Sequence, residues 1–508
     1  MNFALFLEIK ARTSPDDLAL VDQRLRLTWA ELDSWSNRLA ATLSHRGMGR
    51  GDRMAVLLPN RAEAVITLLG CMKAGVVAVP LNWRLAGQEL YRVVAHCKPG
   101  CLLTTQERAQ ELGSHLKGSA LLMSLGDNTK EGSFWSAIQD AQPRYRAAPC
   151  QSADVANLLY TSGTTSTPKA AIHTHGMRVA VAAAMADCFE LSGRDVALCI
   201  SPLFHTSGLS VFSNAIFAGC TLILQEKWDL DQFVQLVAKE RVTFMHMIGT
   251  LVVDIASAPA AVFEPLKGRS RMRFTWGGGH SLSPDSFLAF EERVGGVFLQ
   301  GYSRTEGGLS YNPLDITKRR FDHNGLPNRN SSELAIIDPS TKLRCADGVI
   351  GEVCFKGDGV SPGYWDGAYI RFVPSYDGGW QPTADLGFID PEGNLHFLGR
   401  DDHMIKTGGE NVFPDEVVSV LLAMPQVSDA VVLGLPDERL GQRVAAVVVA
   451  SDPQLSRPQI DKACRAALGA YKIPRSVAFV QALPRLGSGK VDLAACRALL
   501  EAQTITAE

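Results

Sequence analysis

Residues 54–82 constrain the fold more than any other stretch. "MAVLLPN" at 54–60 is a buried-strand run closed by Pro-Asn. Val65, Leu68, Leu69 and Met72 then recur at helical spacing, and "VVAVPLN" at 76–82 is strand-like again. A strand, a helix and a second strand within about thirty residues make a βαβ unit, which commits the chain to a parallel sheet. The pattern recurs: "LCISPLF" ends a strand at a loop, "CTLIL" is a strand, and residues 229–239 read as a helix. This is α/β architecture with ligand loops at strand ends.

From about residue 330 the texture changes. Short strands ("ELAIID", "GEVCFKG", "GNLHFLG") alternate with Gly, Pro and Asp turns, as in a small β-barrel or layered sheet. The polar, glycine-rich "GRDDHMIKTGGENVFP" at 399–414 follows. After it come apolar strands at 429–435 and 443–450, a helix near 457–468, a strand at 476–480 and a last helix from 492. The expected division is a large N-terminal domain, 1–399, of α/β layers plus a small β-barrel-like subdomain, and a small, mobile α+β domain, 400–508. A chain of 508 residues is too long for one ordinary domain.

Composition narrows the function. Apolar residues make up 46%, enough for a large core, and the net charge of -3 with thinly spread Lys and Arg argues against a nucleic-acid partner. The eleven cysteines form no CxxC pair and no metal-type spacing, so reduced thiols in a cytoplasm are expected. "MNFALFLEIK" has neither the basic region nor the cleavage site of a signal peptide. The uncharged stretch Leu209–Gln225 is too short and polar to span a bilayer.

The chemistry begins at "YTSGTTSTPKA", residues 160–170, read as a loop between the strand "ANLLY" and the helix "HGMRVAVAAAMA". Backbone N–H groups among Thr161, Ser162, Gly163, Thr164 and Thr165 can face phosphate oxygens, and Lys169 adds charge. The order is much too specific for a plain Ser/Thr turn, and the Walker A pattern of ordinary NTPases is absent.

This loop resembles that of the adenylate-forming superfamily, within it the acyl- and aryl-CoA synthetases. The resemblance runs from about Leu27 to Lys490, through "KAGVVAVPLN", "PLFHTSG", "GYSRTE", "GYW", "TADLGFID", "GRDDHMIKTGGENVFP" and "PRLGSGK". It implies a two-step reaction. A carboxylic acid attacks ATP to give an acyl-adenylate, with Mg²⁺ as cofactor, and coenzyme A then takes the acyl group. Between the steps the C-terminal domain turns about a hinge at 400–403 that includes Asp402.

The resemblance also implies roles. Asp385 and Arg400 would hold the ribose, and Tyr302 would stack on adenine unless it is a core aromatic. Thr305 would contact the α-phosphate and Glu306 would bind Mg²⁺. Gly278, Gly279, Gly301 and Ser303 would border the nucleotide. Lys490 would bridge carboxylate and α-phosphate. His205, otherwise a core or capping histidine, would gate the acyl pocket, with Trp276, Gly277 and Gly279 lining it. Lys406, Gly408, Gly409 and Arg475 would line the coenzyme A path. Small side chains next to Trp276 suggest a bulky, largely apolar acid.

Several positions depart from the family pattern. Ser166, Ala170, Ser303 and Ala384 stand where glycine is usual, Arg304 where a small or apolar residue is usual, and Leu440 where many relatives have tryptophan. The changes at 166, 303 and 304 burden the ATP-dependent step and leave the thiol path alone. Two alternatives follow: an enzyme that only makes thioesters from ready-made adenylate, with a partner ligase supplying it, and a non-catalytic nucleotide- or acyl-binding protein. A homodimer is a further expectation.

Overall fold

A computed structural model describes residues 1–505 apart from 117–120, 127–131, 161–167, 279–283, 316, 318, 322, 329, 369, 401–402, 409 and 487–489. The βαβ unit is strand Arg53–Leu57, helix Ala62–Ala74 and strand Val77–Pro80. The strands pair in parallel, with Met54 opposite Ala78. Every residue of the helix is buried, as expected for a helix apolar on all faces. Its one lysine, Lys73, is held by Glu8 at 3.0 Å and Asp33 at 2.7 Å. That buried ion triad ties the N-terminal helices Leu5–Thr13 and Trp29–His45 to the layer.

The unit belongs to an eight-stranded sheet, and a nine-stranded sheet forms a second layer. In the latter, Val196–Cys199, Phe244–Ile248, Phe274–Gly278 and Val297–Ser303 run parallel side by side. Their carboxyl ends lead into the segments that begin at residues 200, 249, 279 and 304, the usual place for a ligand in such a sheet. The phosphate-type loop departs from its expected setting. Residue 170 begins another strand, Ala170–Thr174, antiparallel to Val155–Tyr160, and the helix starts only at His175. Residues 161–167 therefore connect two antiparallel strands and do not lead into a helix N-terminus. The apolar "KAAIHT" run is long enough for one more strand before the helical spacing begins.

The small β subdomain is an antiparallel sheet in the order Glu333–Ile337, Gly351–Lys356, Gln381–Ile389, Leu395–Arg400. Among the described residues its outer strands do not pair with each other, so it is a layer and not a barrel; four strands are few to close one. The C-terminal part is α+β. A five-stranded sheet, including Val427–Asp437, Gly441–Ala450 and Ser476–Val480, packs with helices Pro414–Leu422, Arg457–Ala467 and Leu493–Ile505.

A local irregularity aims one residue at the cleft. The register between Gly351–Lys356 and Gln381–Ile389 slips between Glu352 and Cys354. Thr383 Oγ1 donates to the Val353 carbonyl at 2.6 Å and accepts from the Asp385 N–H at 3.0 Å. Ala384, its N–H donating to Glu352 at 2.7 Å, sits in the left-handed region with φ 61. A non-glycine residue there costs about 1–2 kcal/mol, partly offset by the entropy a glycine would lose. Ala384→Gly should therefore raise the unfolding free energy by about 0.5–1 kcal/mol in urea denaturation. An unchanged or lower value would show that the bend carries no strain.

Candidate active site

The bend delivers Asp385 into a cluster of charges. Tyr302, at the end of Val297–Ser303, donates its hydroxyl hydrogen bond to Asp385. Arg304 Nε lies 3.8 Å from Asp385 Oδ2, and Arg304 Nη2 lies 3.4 Å from Glu306 Oε2. Arg400, opposite Asp385 in the strand register, brings its Nε to 3.8 Å from Oδ1. Tyr364 donates to Glu306 Oε1 at 2.5 Å. Burial raises the Asp385 pKa despite Tyr302, Arg304 and Arg400, which pull it down. Burial works against the Arg304 charge, but Tyr302, Glu306 and Asp385 outweigh it and raise its pKa.

The Thr305–Glu306 segment is fixed by its backbone. The Thr305 carbonyl lies 2.6 Å from His173 Nε2, on the strand that follows Lys169, and the Ser361 N–H donates to the Glu306 carbonyl at 2.7 Å. Gly307 has φ 93, and a Cβ there would fall 2.2 Å from the Gly359 carbonyl oxygen. Glu306 offers the kind of ligand Mg²⁺ takes at phosphate sites: a carboxylate, the rest being phosphate oxygens and water. Among the described residues no cluster of three or more His, Cys, Asp or Glu could hold a metal alone. The residues thus fit an ion that arrives with a nucleotide.

A second cluster lies deeper. His205 precedes helix Thr206–Ala218, with Nδ1 3.4 Å from Ser207 Oγ. Burial, then the charge of Lys490, lowers its pKa to about 4. His246, on the parallel strand Phe244–Ile248, is lowered to about 3 by burial and then His205. Its Nδ1 is 3.4 Å from Ser201 Oγ, and its ring meets Trp276 edge-on at 5.4 Å. Lys490 is exposed, while its neighbour Arg485 pairs with Asp429 at 2.7 Å and lowers the pKa of Asp254 on helix Gly249–Ser257, a carboxyl that burial raises. Arg485 and Lys490 of the C-terminal part thus bear electrostatically on Asp254 and His205 of the large domain.

Other expected residues fall less centrally. Tyr302 is buried, its ring stacked on Phe355 at 5.9 Å, which favours the core-aromatic alternative. Trp276 is also buried, against Phe189 and Phe244. Gly277 does not open a pocket: a Cβ there would fall 2.0 Å from the Met247 carbonyl oxygen. At Gly278 and Gly301 a Cβ would meet the carbonyl oxygens of Gly301 and Ser310 at 2.5 Å, so close strand packing explains both glycines. Ser303 and Lys169 are exposed. Lys406 and Gly408 lie on or beside strand Ile405–Thr407, with the Gly408 N–H donating to Leu440, and Arg475 precedes Ser476–Val480. Thr161, Ser162, Gly163, Thr164, Thr165, Gly279, Asp402 and Gly409 lie outside the described residues. His246, which belongs to no motif, and Tyr364, inside "GYW", were not singled out; only the fold brings them to the cluster.

A carboxylate cluster on the strands of a large α/β part, with a lysine of a small α+β part bearing on a buried histidine, fits the adenylate-forming class that the motifs resemble. Comparison with known proteins agrees along the chain. The AMP-binding enzyme family matches residues 7–365, and the AMP-binding enzyme C-terminal domain matches 416–490. The chain belongs to this family and is an AMP-forming acyl-CoA synthetase that uses ATP, Mg²⁺ and coenzyme A. It is 31% identical over 500 residues to the long-chain-fatty-acid–CoA ligase FadD13 of Mycobacterium tuberculosis, covering 96% of this chain and 97% of that one. It is 32% identical over 486 residues to a feruloyl-CoA synthase of an Amycolatopsis species, covering 95% and 96%. ATP-bound MatB from Rhodopseudomonas palustris superposes with a TM-score of 0.87 at 29% identity, covering 98% and 99%. Among the described residues no helix is long and apolar enough to cross a membrane.

The imidazoles give the site a pH signature. Both folded-state pKa values lie below the ordinary 6.5, so on acidification the unfolded chain takes up these protons first. Their contribution is intact above pH 6.5 and is lost as the pH falls toward 4 for His205 and 3 for His246. The loss is about 1.4 kcal/mol per pH unit for each imidazole. A His205→Gln, His246→Gln double variant should lose correspondingly less stability than wild type in urea titrations between about pH 6 and 4.5. Parallel stability curves would mean that the imidazoles are protonated in the folded protein.

Proposed function

We propose that this synthetase activates a bulky, largely apolar carboxylic acid, with Lys490 acting in adenylation and the C-terminal part turning about 400–403 before thioester formation. The carrying observation is that the charge of Lys490, in the C-terminal part, bears on the buried imidazole of His205 in the large domain. In the first step Asp385 and Arg400 hold the ribose, Thr305 contacts the α-phosphate, and the 161–165 loop with Lys169 cradles the remaining phosphates. Glu306 would hold Mg²⁺, which would supply charge neutralisation at the phosphate oxygens. Lys490 brings acid carboxylate and α-phosphate together, two anions that otherwise repel. Tyr302 holds Asp385.

For the second step, rotation with Asp402 in the hinge takes Lys490 away and presents Lys406, Gly408, Gly409 and Arg475 to coenzyme A. The domain boundary at 399–400 belongs to the same proposal, and Gly399, with φ 133, gives it a residue suited to a change of chain direction. His205, neutral at physiological pH, stands between acid and thiol without attracting a second anion. The aromatic group around Trp276 supports the choice of acid, as do the substrates named for two relatives, a long-chain fatty acid and ferulate, both bulky and largely apolar.

Two assays separate the half-reactions. Lys490→Ala should reduce ATP–pyrophosphate exchange by about 10²–10³ and leave coenzyme A attack on supplied adenylate nearly unchanged. Equal losses would remove Lys490 from its role. On a panel of free acids, rates should favour bulky apolar members; a clear preference for acetate would refute the choice of acid.

The position of Arg304 on both Glu306 and Asp385 favours a second reading, in which adenylation is the weaker half-reaction and a partner ligase supplies adenylate. Under it, thioester forms readily from supplied adenylate and slowly from free acid plus ATP. Comparable rates from both sources would exclude it.

A further inference from the structure

Arg304 brings a charge that an AMP-forming site does not need for its chemistry. It follows Ser303 at the end of a strand of the nine-stranded sheet, and the next carbonyl, that of Thr305, is held by His173. The backbone therefore cannot easily withdraw the guanidinium from the cleft. Its side chain is 17% exposed and stands between Glu306 and Asp385. At 3.4 Å and 3.8 Å these are charge contacts, longer than ordinary N–H···O bonds. Arg304 can thus turn some of its five donors to an incoming phosphate without breaking a tight pair.

We propose that Arg304 is a resident cation of the nucleotide site, binding phosphate in its own right and competing with Mg²⁺ for Glu306. The inference rests on the reading that the nucleotide lies against Thr305 and Asp385. Its sign is set by electrostatics. A fixed positive charge beside Glu306 lowers the attraction of that carboxylate for a second cation. The same charge cancels the repulsion that Glu306 and Asp385 would exert on a metal-free polyphosphate. Partial burial makes both effects stronger than they would be in open water. Arg304 should therefore narrow the gap in affinity between metal-free ATP and Mg²⁺-ATP, while raising the free Mg²⁺ needed to load the site. The trade fits a site whose nucleotide-facing elements depart from their family pattern at several positions.

Calorimetric titration with ATP in the absence of any acid tests this without turnover, in EDTA and across a range of Mg²⁺, on the full-length protein. Wild type should bind metal-free ATP within about tenfold of Mg²⁺-ATP. Arg304→Met should lose about tenfold or more in metal-free affinity, and should reach half-maximal loading at several-fold less free Mg²⁺. Arg304→Lys, which keeps the charge, should behave like wild type. An Arg304→Met protein with the wild-type ratio of affinities would overturn the proposal. So would a wild-type protein whose metal-free affinity is weaker by about a hundredfold or more, a result that needs no variant to fold. Failure of wild type to bind ATP in either form would overturn the nucleotide reading of the site itself, and this inference with it.

Discussion

The buried carboxylate of Asp385 is the point on which the site depends. It lies on the small antiparallel sheet, takes a hydrogen bond from Tyr302 on the parallel sheet, and faces Arg400 at the end of the strand leading into the C-terminal part. One charge thus joins two sheets, beside the strand that leads into the C-terminal part. Taking it out of water costs several kcal/mol, which Tyr302, Arg304 and Arg400 together offset only in part, since its pKa stays raised. The left-handed Ala384 and the slipped register beside it exist to aim this residue, and they put strain next to the site.

Three environments can be told apart around the proposed site. Its mouth is ionic, with Arg304 and Arg400 set against Asp385 and Glu306. Beyond Lys490, two imidazoles are kept neutral by burial. Deeper still, His246 meets the aromatic group of Trp276, Phe189 and Phe244. The acid proposed above, a carboxylate on an apolar body, would suit that series. A second anionic group on the acid would have to charge an imidazole that burial keeps neutral.

The fold was largely legible because its elements are long and periodic. The helix expected at 229–239 is Leu230–Lys239, and the strand expected at 476–480 is Ser476–Val480. Both carry strong apolar patterning of a single period. The strand Ala170–Thr174 was hidden because it lies between a polar loop and a helix with no turn residue to mark its end. Barrel and layered sheet stayed open in the small subdomain for a different reason: local strand signals do not say whether a sheet closes, and the layer is what formed. At the site, motif residues such as Asp385, Glu306 and Lys490 could be read because their order is specific. His246 could not, since a histidine in an apolar strand carries no sign of what the neighbouring strand places beside it. Gly277, expected to line the acyl pocket, and Gly278 and Gly301, expected to border the nucleotide, are each required by close strand packing. Only the backbone positions reveal that a neighbouring carbonyl fills each Cβ site.

The central claim is that the Asp385 cluster is the ribose end of a cleft whose acid end lies by His205. A crystal structure with a non-hydrolysable acyl-adenylate analogue, such as an acyl-sulfamoyl adenosine, tests it most directly. Ribose hydroxyls should lie on Asp385 and Arg400, the sulfamoyl group beside Thr305 and Lys490, and the acyl chain should run past His205 toward Trp276. A ligand bound with its ribose elsewhere, and Asp385 still held by Tyr302 and Arg304 alone, would contradict it.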